Sequence, residues 1–170
     1  MNAFKPPVLG FAAYSGTGKT TLLVKLVPLL KQQGIRVALI KHAHHDFDID
    51  IPGKDSYELR KAGADQVLVA SDQRRALIRE MAVATEPRLQ DLFSELDLDK
   101  IDLVLVEGFR HQPFPKIELH RPSLKKDFIY AQDTNVIAVA ADAKIDTGSL
   151  PLLDLDQPGE IARFISDWMN

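Results

Sequence analysis

The pattern of the chain opens on an unbroken apolar run. Residues 8–12 follow two prolines and precede a glycine-rich turn, which predicts a short strand buried on both faces. From Lys19 the period changes: Leu22, Leu23, Leu26, Val27 and Leu30 recur at helical spacing until Gly34 closes the element. Pro28 lies inside this run and removes the hydrogen bond to the Val24 carbonyl, so a kink is expected in the second half. Residues 35–40 predict a second strand, and the polar loop "KHAHHDFDIDIPG" follows it. A helix is expected over 55–62, stopped by Gly63; "QVLVA" then predicts a strand, and "SDQRRALIRE" a turn into another, the two forming a hairpin. Pro87 sits in the first turn of a helix expected over 87–96. "IDLVLVEGF" is the most apolar strand. "PKIELH" alternates, which predicts a half-exposed edge strand. "NVIAVAAD" predicts one more buried strand, and residues 159–169 a closing amphipathic helix.

Strand and helix alternate through most of the length, so the expected class is α/β: a mostly parallel twisted sheet flanked by helices, with extra antiparallel edge strands. The junction of the first strand and helix carries the chemistry. "AYSGTGKTT" meets the phosphate-loop pattern G-x-x-x-x-G-K-[ST] from position 14 onward, with Ala13 where the first glycine would stand. Gly16 and Gly18 let the backbone curl, so that amides from Ser15 and Gly16 through Thr17 to Thr21 turn toward a β-phosphate at the positive end of a helix. Lys19 reaches the β- and γ-phosphates and the Thr20 hydroxyl is a magnesium ligand in this pattern. Alanine at 13 is tolerable if its φ is negative. No repeat, low-complexity tract or linker divides the 170 residues, so a single P-loop nucleotide-binding domain over 1–170 is expected, enough chain to bury roughly 70% of its unfolded surface.

Three further places bear on a bound nucleotide. Glu107 ends the apolar strand "LVLVEG", where such folds place the acid that holds magnesium through water; the alternative is a solvent-exposed strand end. The loop after the second strand leaves the carboxyl edge of the sheet and should face the phosphates. Its Asp46, Asp48 and Asp50 are candidates for a second magnesium contact or for positioning the attacking water. Its His42, His44 and His45 raise a transition-metal reading beside a purely solvated loop. Asp142, just after a late buried strand, stands where a carboxylate could accept from guanine N1–H and N2–H₂, or could cap a loop; the guanine signature N-K-x-D is absent. Arg74 and Arg75, then Arg110, His111 and Lys116, put positive charge on two segments, either free on the surface or able to meet a phosphorylated ligand or an acidic partner.

Composition narrows the classes. With 45% hydrophobic and 26% charged residues and a net charge of −3, the chain is an ordinary globule whose weakly acidic surface argues against gripping nucleic acid or anionic membranes. The absence of cysteine excludes disulfides and thiolate metal sites and suits a reducing compartment. The early "PPVLGFAA" is too short for a membrane span and lacks a signal-peptide pattern, so a cytoplasmic protein is expected.

Taken in order, "SGTGKTTL", "IKHAHHDFDIDIPGKDS", "KAGADQV" and "VEGFRHQPFPKIEL" resemble the molybdopterin-guanine dinucleotide biosynthesis protein B family over roughly residues 8 to 142. Ala13 and Pro28 are departures. The resemblance implies a P-loop fold of the class shared with signal-recognition and nickel-insertion GTPases. It implies GTP with Mg2+, slow intrinsic hydrolysis and a homodimer. It also implies an adapter role beside the molybdenum cofactor guanylyltransferase, with other cofactor-assembly proteins as further partners. Lys19, Thr20 and Glu107 carry over as the lysine, the magnesium ligand and the strand-end acid. The competing classes are a small-molecule kinase using ATP and a metal-delivery GTPase using the His42, His44 and His45 loop.

Overall fold

A computed structural model describes residues 4–43 and 47–170 of the chain. In chain order its elements are β1 (Val8–Ala13), α1 (Lys19–Gln32), β2 (Val37–Lys41), α2 (Asp55–Lys61), β3 (Gln66–Ala70), β4 (Arg75–Arg79), α3 (Leu89–Phe93), β5 (Leu103–Glu107), β6 (Lys116–His120), β7 (Val136–Ala141), β8 (Leu152–Asp154) and α4 (Pro158–Met169). They group into two compact units. One comprises the described residues up to His42 together with Arg88–Asn170; the other comprises those of Ala43–Pro87.

The first unit is a six-stranded sheet in the order β2-β5-β1-β6-β7-β8, parallel at every pairing. Helices cover both faces, which is why β1 and β5 read as continuous apolar runs: a strand buried on both sides has no position left for water. Alternate residues feed two cores. Leu9, Leu105 and Ile117 pack with Leu22, Leu26 and Leu30 of α1 and with Ile161 and Ile165 of α4. Val8, Val104 and Val106 pack with Leu89, Phe93, Phe109 and Phe114. The register sets Phe11 and Lys41 directly beside Glu107, so β1, β2 and β5 end together at one edge. At the opposite edge Arg36 clasps Asp102, with Nη2 at 2.7 Å and Nε at 2.9 Å from its two oxygens. That donation draws the Asp102 carboxyl down to about 2.

Several expectations need correction. "PKIELH" is no edge strand: β6 lies between β1 and β7 and is buried along its whole length. Its polar side chains are satisfied inside the protein. Lys116 donates to the Gln112 carbonyl at 2.7 Å and to Asp133 at 2.9 Å. Glu118, with no exposed surface, accepts the amides of Ile129 and Tyr130 at 2.9 and 2.8 Å. Burial raises the Glu118 carboxyl above its ordinary range, and those two donors oppose the shift. The sheet edge is instead β8, three residues that no pattern predicted. α1 contains Pro28, as the sequence places it, and runs continuously from Lys19 to Gln32; Pro28 and Val24 are both exposed, on the water side of the helix. The helix expected over 87–96 is only Leu89–Phe93, held by burial of its two end residues.

The second unit pairs β3 with β4 antiparallel, Leu68 opposite Leu77, as a two-stranded sheet of its own beside α2. The hairpin was expected from its sequence. None of this unit's described residues is fully buried. Its organising group is Arg60, which donates from Nη2 to both oxygens of Asp48 at 2.6 Å and from Nη1 to Glu80 at 2.8 Å.

Candidate nucleotide site

The loop between β1 and α1 is shaped by its own backbone. Ala13 closes β1 in extended conformation, and the described non-glycine residues with positive φ are Phe109 and Lys125, so the condition on Ala13 is met. Thr17, buried to 2%, folds back on Tyr14, its hydroxyl donating to the Tyr14 carbonyl at 2.7 Å. Gly16 (φ 83°) and Gly18 (φ 97°) take the left-handed conformation that a side chain resists. A Cβ at Gly16 would project into open space, so backbone conformation rather than crowding requires glycine there.

Gly18 is also the N-cap of α1, with no side-chain cap and no acidic residue in the first turn. The first turn's amides therefore lack intrahelical partners, and its partial positive charge is not offset by the protein. An anion is the natural complement. Thr20 and Thr21 are exposed on that turn. Lys19 Nζ lies 3.5 Å from Glu107 Oε1, with both side chains largely shielded. Lys41 Nζ stands 3.9 Å from Glu107 Oε2. Two ammonium groups thus share one carboxylate, and the cluster stays net positive. The Thr20 hydroxyl and the Glu107 carboxylate are hard oxygen donors, the set a magnesium ion takes.

Behind Glu107 the chain is locked. Gly108 has φ 95° and Phe109 φ 51°. The His42 amide donates to the Glu107 carbonyl at 2.8 Å, and its ring stacks on Phe109 with centroids 4.6 Å apart. A Cβ on Gly108 would come within 2.6 Å of His42 Cβ.

On the other flank stands a residue that the sequence reasoning missed. Arg121, just past β6, donates from Nε to the Thr17 carbonyl at 2.8 Å and from Nη1 to Asp142 at 2.5 Å, while Nη2 lies 3.7 Å from Asp156. It lines a shallow cavity with Gly16, Gly18, Thr21, Lys25 and Asp156. The available signal was an arginine at the carboxyl end of a parallel strand. Asp142 is thus brought to the loop, engaged by Arg121.

Asp48 and Asp50 belong to the Ala43–Pro87 unit. Arg60 holds Asp48, lowering its carboxyl below the ordinary range, and Asp50 Oδ1 accepts the Ser56 hydroxyl at 3.0 Å and the Ile51 amide at 2.9 Å. His44, His45 and Asp46 lie outside the described residues. Among those described, no group of three or more His, Cys, Asp or Glu side chains is arranged to hold a metal. Lys116 is not available to a phosphate or an acidic partner, being buried against Asp133. Arg110 and His111 are exposed, and Arg74 and Arg75 lie on the hairpin unit.

The model of the family described as molybdopterin guanine dinucleotide synthesis protein B matches residues 8–142. The chain belongs to this family. It is 52% identical to the molybdopterin-guanine dinucleotide biosynthesis adapter protein of Escherichia coli (strain K12), over 96% of this chain and 94% of that one. Identity to the protein of the same name from Haemophilus influenzae is 43%, over 96% and 90%. A crystal structure of molybdopterin-guanine biosynthesis protein B superposes with a TM-score of 0.73 at 27% identity, covering 95% of this chain and 98% of that one. The α/β P-loop architecture expected from the sequence is therefore that of the family. The family match runs from the first residue of β1 to Asp142, so it spans the cradle, Glu107 and Arg121 and ends before β8 and α4. No helix among the described residues is long and apolar enough to cross a membrane.

Proposed function

We propose that this chain is a GTP-binding adapter with weak intrinsic GTPase activity in molybdopterin guanine dinucleotide biosynthesis, working with the guanylyltransferase that joins GMP to molybdopterin. The observation that carries the nucleotide half is the left-handed Gly16–Gly18 turn opening α1, with Lys19 reaching Glu107 at 3.5 Å. The names of its relatives carry the pathway half.

On this reading the amides from Gly16 to Thr21 receive the β-phosphate and Lys19 spans the β- and γ-phosphates. Lys19 then exchanges part of its contact with Glu107 for phosphate oxygens. Thr20 and Glu107 would hold Mg2+, which when bound neutralises phosphate charge. The cations beside Glu107 are Lys19 and Lys41 rather than an arginine. An arginine against the γ-phosphate is worth about 10³–10⁵ in rate, so slow turnover follows until a partner supplies one. Asp48 and Asp50 would position water only on release from Arg60 and Ser56. The Leu68–Leu77 pair, 63% and 47% exposed, favours a homodimer covering this face.

Titration calorimetry with GTP and ATP, in Mg2+ and in EDTA, tests the reading. GTP is expected to bind more tightly in Mg2+, and Lys19→Ala to weaken it by about 100-fold without shifting the melting curve. Thr20→Ala should erode the Mg2+ dependence more than the affinity in EDTA. Hydrolysis of GTP by the isolated protein at several per second, or preference for ATP with a phosphorylated small-molecule product, overturns it.

A further inference from the structure

We propose that Arg121 is the positioning residue of the phosphate loop, and that Asp142 acts by holding Arg121 rather than by reading a base. The inference rests on the nucleotide reading above and adds what keeps the cradle in shape.

One peptide group carries the constraint. The Thr17–Gly18 bond is trans, the described cis peptide being Lys5–Pro6. In a planar trans peptide the carbonyl and the amide point in opposite directions. Arg121 Nε draws the Thr17 carbonyl outward at 2.8 Å, so the Gly18 amide is turned the other way. This constraint falls where the backbone most needs one. Gly16 and Gly18 are the loop's least restricted residues, and no side chain caps α1. Thr17 braces the other side of the same turn through its bond to Tyr14.

The rest of the guanidinium is occupied. Nη1 is 2.5 Å from Asp142, which follows β7, and Nη2 is 3.7 Å from Asp156, which follows β8. One planar group therefore ties the exit of β1 to the exits of β7 and β8. Two carboxylates neutralise its charge, so its contribution to phosphate binding is geometric rather than Coulombic. Lysine cannot replace it: a single ammonium lacks the rigid fork that serves three acceptors in fixed directions. An Asp142 carboxylate engaged this closely is a poor free acceptor for guanine, whereas it is well placed to keep Arg121 from rotating away.

The test is nucleotide binding in Mg2+ by wild type, Arg121→Ala, Arg121→Lys and Asp142→Asn, with GMP, GDP and GTP as probes. Both Arg121 variants should lose about tenfold in affinity for GDP and GTP while GMP, lacking the β-phosphate, binds as in wild type. Asp142→Asn should lose less, and equally for guanine and inosine diphosphates. Methylguanidinium should restore part of the Arg121→Ala loss, an effect that general destabilisation does not produce. If Arg121→Ala does not fold, Arg121→Lys and Asp142→Asn carry the same comparison. Variants that bind GDP like wild type, or that lose GMP in equal measure, overturn the role of Arg121 alone. A wild-type protein that binds neither GDP nor GTP overturns the nucleotide reading, and this role with it.

Discussion

The sheet unit and the hairpin unit solve the same problem in opposite ways. The sheet unit hides its apolar side chains between layers, so that Leu103–Val106, all of β5 but its last residue, have no exposed surface. The hairpin unit carries nine of the twelve large hydrophobic side chains that are exposed among the described residues, Phe47, Leu59, Leu68, Leu77 and Val83 among them. What fixes its conformation instead is polar: one arginine gathering Asp48 and Glu80. Burial thus supports the glycine loop between β1 and α1, while the hairpin unit leaves its apolar side chains on the surface. Isolated two-stranded sheets are marginal in water, which agrees with that division.

Substitutions on the two sides should separate accordingly. Ile117→Ala, in the middle of the covered sheet, is expected to cost about 2–5 kcal/mol, measured by urea denaturation; a loss below 1 kcal/mol would show that the core tolerates the gap. The equivalent truncation on the hairpin, Leu68→Ala, should change monomer stability by at most about 0.5 kcal/mol. In the proposed homodimer it should instead raise the concentration at which copies associate in sedimentation velocity, and an unchanged association constant would remove the hairpin face from that proposed interface.

The smallest effect concerns acid. Arg36 depresses the Asp102 carboxyl from its ordinary range, near 4, to about 2. A depressed carboxylate stabilises the fold above its unfolded pKa and loses that contribution as pH falls through its folded one. Between about pH 4 and pH 2, wild type should therefore lose stability faster than Asp102→Asn in acid titrations followed by circular dichroism. Parallel curves would remove Asp102 from the account.

Much of this was legible in the chain itself. The glycine loop could be read because its backbone requirement is local: two left-handed glycines, then Lys19, between a strand and a helix. Glu107 was legible because a strand buried on both faces stops being apolar where it ends. β6 was misread for a physical reason. Alternation ordinarily marks a face open to water, but Lys116 and Glu118 are met by Asp133 and by the amides of Ile129 and Tyr130. Those partners lie in the following crossover and are invisible in the strand's own pattern. Arg121 escaped notice because a lone arginine after a strand has no periodicity, and its meaning depends on where Thr17 and Asp142 fold to. β8, at three residues, was too short to carry a pattern at all.

The lock between Gly108 and His42 has a consequence for inheritance of change. With only 2.6 Å available for any methyl group at 108, and a stacked ring fixed just beyond it, two distant stretches of the chain cannot drift independently. A mutation that enlarges one must be answered by a shift in the backbone of the other. The doorstep from which the histidine-bearing segment departs is therefore held by the same few atoms that seat the acid of the cradle.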